Sequence, residues 1–284
     1  MASGEKPDFK KHWHWTSDAR AAYKYPVSLL TFMPSLSLPE LSAVDRKKGL
    51  SLPTSVDSNL AYLVGVLAGD GNIFVRKKKK DYRIKCVGHP IDEKSFYDDL
   101  LQGILQKTFS MHVPMKPQDS NTTYGFYIYS KALVSYLTEN FGLPVGKKKD
   151  KLHIPALLLN TPFVFDYLRG LADTDFCISF KKQGSYPCIA GGSNSEAFIK
   201  EISAVLKKEG FRFYECYNYK LLDTRFREGY SLINRIEIGG WKHLEKWMRL
   251  IGFSSPKHLR KIKSSCGFEP QPPNSGEWTF RRAP

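Results

Sequence analysis

Two acids stand where a helix tolerates them least. The stretch "LRGLADTDF" (168–176) ends an apolar, helix-like run with Asp173 and Asp175. A helix C-terminus carries partial negative charge, which disfavours carboxylates there. "LVGVLAGDG" (63–71) aligns with it without gaps, matching Gly65 to Gly170 and Asp70 to Asp175, 105 residues on. Gly65 and Gly69 are four apart on one helix face, and Gly170 and Thr174 repeat that spacing. Small residues so spaced let two helices approach closely. Helices packed on that face bring Asp70 and Asp175 side by side. Adjacent carboxylates repel, and one takes up a proton unless a cation sits between them. A hard divalent cation such as Mg2+ suits oxygen ligands, and metal sites beside a phosphodiester suit in-line displacement.

The elements that must position these acids repeat as well. Each motif is followed by alternating segments around a basic turn, "NIFVRKKKKDYRIKCVGH" and "CISFKKQGSYPCIAGG", which read as β-hairpins. Helical patterns follow, "IDEKSFYDDLLQGILQKTF" and "SNSEAFIKEISAVLKKEGF", then the aromatic strands "YGFYIYS" and "YSLINRIEIGG". A last helix opens at "KALVSYLTENFGLP" or "KHLEKWMRLIGFSSP", aligning Lys131 with Lys242 and Gly142 with Gly252. The period exceeds the roughly 20–50 residues of a solenoid unit. It is a duplicated αββαββ module, and two such modules make a pseudo-twofold protein. Duplex DNA, with antiparallel strands, is the matching partner.

Composition agrees. Among 284 residues, 43 Lys and Arg face 28 Asp and Glu, a net charge of +15 that favours a polyanion. The longest apolar run, "LAYLVGVLAG" (60–69), is about half the ~20 residues that span a bilayer, which argues against a membrane role. The N-terminus lacks a secretory apolar core. Five cysteines without a CxxC pair fit neither a disulfide framework nor a zinc site, so a reduced, intracellular, soluble protein is expected.

The two motifs resemble the paired signature helices of LAGLIDADG homing endonucleases, in the single-chain, two-motif form. The resemblance spans roughly residues 57–265. It implies an α+β fold: two pseudo-symmetric αββαββα modules packed through their motif helices, with saddle-shaped antiparallel β-sheets for DNA. It implies a site-specific double-strand DNA endonuclease that cuts across the minor groove and leaves short 3′ overhangs. In that family the last motif acid on each helix binds catalytic metal, which implies Asp70 and Asp175. The preceding carbonyls imply Gly69 and Thr174 by backbone. A basic residue where the last strand meets its helix implies Lys131 and Lys242 near the scissile phosphates. A polar residue ending the second strand implies His89 in the first half, against only Gly191, Ser193 or Asn194 in the second. Mg2+ is the implied cofactor, with Mn2+ able to substitute and Ca2+ supporting binding without cleavage. The implied partner is double-stranded DNA with a long asymmetric site, bound by a monomer. An RNA-binding maturase and a non-cleaving DNA-binding regulator are the alternatives on this scaffold. The sequence departs from the pattern at Phe176, where Gly usually follows the acid; Gly would ease a tight turn through positive φ. Phe176 predicts a different turn or a displaced Asp175, and with the unmatched polar partner it predicts unequal active sites.

For DNA contact the sequence offers Arg76, Lys78, Arg83 and Lys85 on the basic hairpin "RKKKKDYRIK" (76–85), Lys181 and Tyr186 on "KKQGSY" (181–186), and Lys116, Arg225 and Arg235 elsewhere in the modules. A β-surface in the major groove presents alternate residues, and arginine favours guanine. Phosphate and sugar take half or more of such contacts. The chain divides into an N-terminal extension (1–55), a first module (56–150), a second (151–265) and a Pro-rich tail (266–284) expected to be loose or extended. Trp13 and Trp15 of "KKHWHW" are expected to pack on a module surface. "PSLSLPELSAVDRKKGLSLP" reads as an irregular connector, and "KKKDK" (147–151) as a linker able to track phosphates. The termini carry no splicing residues, which points to a free-standing, intron-encoded enzyme.

Overall fold

A helix apolar on every side has to be interior. The first motif is such a helix. The structure is a computed structural model that describes residues 35–181, 186–224, 227–266, 268–271 and 279–282. Elements are numbered along the chain from α1 (Ala43–Lys47) and α2 (Ser58–Gly69). Every residue of α2 from Leu60 to Ala68 is buried. Asp57 starts the helix, its side chain accepting from the Leu60 amide at 2.7 Å.

The first module continues with β1 (Gly71–Arg76), β2 (Asp81–Gly88), a π-helical turn (Phe96–Leu101) leading into α3 (Gln102–Phe109), β3 (Lys116–Gln118), β4 (Thr123–Tyr129) and α4 (Lys131–Phe141). The second repeats the order with α5 (Phe163–Asp175), β5 (Phe176–Lys181), β6 (Tyr186–Ser193), α6 (Glu196–Lys208), β7 (Tyr214–Leu222), β8 (Tyr230–Gly239) and α7 (Trp241–Leu250), followed by α8 (Pro256–Cys266). Each module holds one four-stranded antiparallel sheet, ordered β1-β2-β4-β3 and β5-β6-β8-β7. In the tail, β9 (Phe268–Gln271) pairs with β10 (Thr279–Arg282), so the expected loose segment contains a short hairpin.

Strand register defines which residues of the two halves correspond. Gly71 pairs with Cys86 and Cys86 with Phe126; Phe176 pairs with Gly191 and Gly191 with Ile236. The helix after the last strand starts at Lys131 in one half and at Trp241 in the other. Lys131 is therefore the counterpart of Trp241, and the Lys131–Lys242 match of the linear alignment is off by one residue. Alternation then sorts each sheet. Ile84, Cys86, Phe126 and Ile128 point inward, as do Ile189, Ile236 and Ile238, all within one core cluster shared by both modules. Arg83, Lys85, Tyr127, Arg235 and Glu237 lie on the opposite faces.

The N-terminal connector is more ordered than its composition suggests. Ser42 and Asp45 form a capping box on α1, Leu50 and Val56 join the core, and Asn140 of α4 bonds the Ser37 backbone. "KKHWHW" and Arg225 lie outside the described residues.

Candidate active site

α2 and α5 meet at their small residues. A Cβ built on Gly65 would run into the Tyr167 carbonyl oxygen, and one on Gly170 into that of Tyr62. The two contacts are pseudo-symmetry mates, so backbone rests on backbone at the crossing. Further along, Gly69 leaves no room for a side chain against Thr174, and a Cβ there would lie 3.3 Å from Asp175 Cγ. The small-residue face thus brings the ends of the two helices together, with Asp70 capping α2 and Asp175 in the last turn of α5.

The environment perturbs both acids. Burial pushes Asp70 up to about 7, repulsion from Asp175 and Glu93 adds to the shift, and Lys148 and Lys257 oppose it. Asp175 opens towards solvent, yet the protein packed around it pushes it up to about 6, against the pull of Lys148. Lys148 Nζ donates to the Ala68 carbonyl at 2.8 Å and to the Gly69 carbonyl. Burial lowers its pKa, while Asp175, Cys86 and Asp70 pull it back up. Glu93 is 8% exposed and engaged at both oxygens, by Lys257 Nζ at 2.7 Å and the His89 amide at 2.7 Å. Lys257 comes from α8, so this pair ties the second module to the mouth of the first.

Asp173 has a different fate from its neighbour. It is 1% exposed and accepts from Tyr62 Oη at 2.6 Å, from the Ser255 amide at 2.9 Å and from the Ser254 amide at 3.0 Å. Burial still raises it to about 6, and those bonds hold the shift down. The first of the two puzzling acids therefore joins α5, α2 and the approach to α8, while the second is exposed beside Gly69 at the end of α2.

The solved structure of the homing endonuclease I-WcaI bound to its DNA recognition sequence matches at a TM-score of 0.50 and 13% identity, covering 80% of this chain and 95% of that one. This chain has the LAGLIDADG homing endonuclease fold. I-DmoI in complex with DNA and Ca is similar at a TM-score of 0.48 and 16% identity, over 70% of this chain and 93% of that chain. The N-terminal LAGLIDADG domain of DUF199/WhiA gives a TM-score of 0.41 and 12% identity, over 76% and 96%. No family model and no curated protein sequence matches the chain.

Within the LAGLIDADG fold, the donor chemistry at the helix ends fits a hard divalent cation. Two raised carboxylates share the charge of one Lys148 ammonium, because Lys257 is engaged by Glu93. Among the described residues no third His, Cys, Asp or Glu forms a metal-holding group with them. Further ligands would come from backbone carbonyls, of which that of Gly69 faces Lys148 and that of Thr174 lies one residue before Asp175.

Phe176 does not require a strained turn. It starts β5 in extended conformation at φ −103° and ψ 159°. Its ring stacks on Trp247 at 5.8 Å and covers Gly191, where any Cβ would collide with it. The equivalent first-half pair is Gly71–Cys86, so bulk has moved across the same cross-strand pair. What differs is helix length: α5 includes Asp175, whereas α2 stops one residue before Asp70.

His89 follows β2 at the acid end of the sheet; its side chain is 57% exposed and its Nδ1 accepts from the Asp92 amide at 3.2 Å. In the second half Ser193 Oγ accepts from the Ser195 amide at 3.1 Å, and Asn234 holds the Asn194 carbonyl. Lys131 and Lys242 are at the other end. Tyr129 pairs with Arg83, three residues from Cys86 towards the hairpin turn, or about 10 Å along the strand. Lys131, exposed, lies beyond it with Nζ 5.9 Å from the Tyr82 ring centre. The register Gly239–Cys188 displaces Lys242 likewise. The basic residues at the acids are Lys148 and Lys257 instead. In the sequence Lys148 stands six residues after Gly142 and Lys257 five after Gly252, the glycines matched between the halves.

The outward sheet faces carry the remaining cations. Arg76 pairs with Asp81 at 2.7 Å, and Arg83 lies over Phe74 at 4.6 Å. Lys85 pairs with Asp119 at 2.6 Å, and Lys116 of β3 is exposed. Lys78 sits in the exposed turn between β1 and β2. In the second sheet Lys181 pairs with Glu237 at 3.2 Å, Tyr186 is exposed, and Arg235 lies over Tyr219 at 4.4 Å.

Proposed function

We propose that the protein is a metal-dependent, site-specific endonuclease of double-stranded DNA, hydrolysing one phosphodiester on each strand. The observation that carries this reading is the juxtaposition of Asp70 and Asp175 at the ends of α2 and α5, between two sheets with charged outward faces. A binder of polyanions gains nothing from two carboxylates beside phosphates. A bound Mg2+ would neutralise charge at the phosphate and make bound water more acidic.

Asp70 and Asp175 hold that cation, with the Gly69 and Thr174 carbonyls as backbone ligands. Lys148 keeps the two carboxylates from repelling each other apart before loading, and its ammonium is placed to offset phosphate charge. Glu93 and Lys257 fix the mouth of the first half, where His89 orients water. Arg76, Arg83, Lys85, Lys116, Lys181 and Arg235 contact the duplex from the sheet faces, with Lys78 and Tyr186 beside them. I-WcaI, of the same fold, is bound to its DNA recognition sequence, which supports recognition of a specific DNA sequence. The helix ends sit on the pseudo-dyad, so the duplex presents its minor groove there and the cuts are staggered 3′.

Incubation of the chain with a randomised duplex library and Mg2+, followed by sequencing of the ends, tests the reading. Enrichment of one site with short 3′ extensions is expected. Site enrichment by binding without any cut in Mg2+ or Mn2+ would instead favour the non-cleaving regulator.

A further inference from the structure

The two sheets present opposite chemistry at the same place. In the first, the central outward row runs Asn72, Lys85, Tyr127. In the second, the equivalent row runs Cys177, Ala190, Glu237, Tyr214. Register makes Ala190 the counterpart of Lys85, and Glu237 the counterpart of Tyr127. A cation beside an aromatic in one half is thus a carboxylate beside a methyl group in the other.

Glu237 is an odd residue for a DNA-facing surface, because phosphates repel it. The structure compensates it. Lys181 Nζ approaches one carboxylate oxygen at 3.2 Å and Arg235 Nη1 the other at 3.6 Å, and the side chain stays 25% exposed. The same face of β5 and β6 carries only small residues near it, Cys177, Ser179, Ala190 and Gly192. Arg235, two residues back on the same face, is steadied by Tyr219. A carboxylate in the major groove accepts from exocyclic amino groups: its usual partner is the N4 of cytosine, while the N6 of adenine sits beside the acceptor N7, which repels the acid. Guanine O6 and N7, and thymine O4, are acceptors that repel it.

We propose that Glu237 is a specificity-determining residue that selects cytosine in the half-site read by β5–β8, at the position held in the first half by Tyr127 beside the donor Lys85. The assignment rests on the DNA-endonuclease reading and deepens it. It makes the target non-palindromic at this pair of positions, and it gives the acid a use that ion pairing alone does not.

The test is selection from a randomised duplex library by binding in Ca2+, comparing the wild-type chain with Glu237→Gln, Glu237→Ala and the first-half control Lys85→Ala. For both Glu237 variants the cytosine preference is expected to fall about tenfold or more at one position of one half-site, as loss of one good base contact implies. All other positions, and the salt slope of binding, should stay as in wild type. Thermal melting of each variant separates misfolding from lost readout. Glu237→Gln retains an acceptor and the shape of Glu, so its melting temperature should stay near wild type. Unchanged preference in the Gln and Ala variants, or a uniform loss across the site, overturns the assignment and leaves the endonuclease reading intact. Failure of the wild-type chain to enrich any site overturns both.

Discussion

At the scale of single residues, the proposed chemistry rests on Asp70 and Asp175, and their pKa values make it testable. Both are raised above the ordinary 3.8, to about 7 and about 6. The folded, metal-free protein therefore holds more protons than the unfolded chain between about pH 4 and pH 7. The stability they favour is complete below pH 4 and is lost as pH rises through that window. His258, fully buried and pushed down to about 3, acts with the opposite sign as pH falls below 6.5. The difference between wild type and Asp70→Asn isolates the acids: urea unfolding should show the variant gaining relative stability from pH 4 to 7. Mg2+ should shrink that difference, since it takes the place of the proton. In cleavage assays each of Asp70→Asn and Asp175→Asn should lose more than about 100-fold, because even groups that merely orient metal ligands are worth roughly 10–100-fold. A variant cutting at the wild-type rate would remove that acid from the site. Binding in Ca2+ should change little by comparison, measured by fluorescence anisotropy.

At the scale of elements, the contact between α2 and α5 has no slack. Gly65→Ala and Gly170→Ala each drive a methyl group into a carbonyl oxygen of the facing helix. Separation of the helices is the only relief, so each should cost several kcal/mol, above the usual ~0.5–3 kcal/mol of a point substitution. Asp173→Ala should be costly for another reason. It strips the Tyr62 hydroxyl and the Ser254 and Ser255 amides of a shared acceptor, at roughly 1–3 kcal/mol for each buried group left unpaired. Chemical denaturation measures both. Phe176 supplies a sharper case. Restoring the family's glycine there should destabilise by roughly 3–5 kcal/mol, as for other aromatic deletions in cores. Adding Gly191→Cys recreates the first-half pair and should recover part of that loss. Additive losses in the double-mutant cycle would show that bulk is not exchanged across this strand pair.

At the scale of the whole molecule, the charge and the duplication act together. A chain of net charge +15 that neutralises 6–10 phosphates should lose roughly 10³–10⁵ in affinity between 50 and 200 mM salt. A flat plot of log K against log salt would remove the polyanion partner. Both motifs lie in one chain and pack on each other, so one molecule should occupy one site; light scattering of the complex reads this directly. No helix among the described residues is long and apolar enough to cross a membrane. The two acids reach their place through different helix ends, and the polar groups after β2 and β6 differ: exposed His89 in one half, Ser193 engaged in a turn in the other. One strand should be cut before the other, visible as a nicked intermediate in a plasmid time course.

Much of this was legible in the residues themselves. Gly65 and Gly170 could be read as a packing face because spacing along a helix is a local property. Strand alternation placed Arg83 and Lys85 on one face for the same reason. Asp70 and Asp175 followed from the repeat, since two copies in register constrain each other. Tertiary structure alone decided where loops and strand ends arrive. Lys148 and Lys257 reach the acid end from the segments that follow α4 and α7, while Lys131 and Lys242 stand at the far ends of their strands. Those positions depend on register between strands tens of residues apart, which no window of sequence contains. The packing of Phe176 was not legible, because its partner, Gly191, is a neighbour only across the sheet. Asp173 and Asp175 are chemically identical and two residues apart, yet α-helical rotation turns one towards Tyr62 and leaves the other exposed at the helix end. Which of the two stays exposed is settled by what each face packs against.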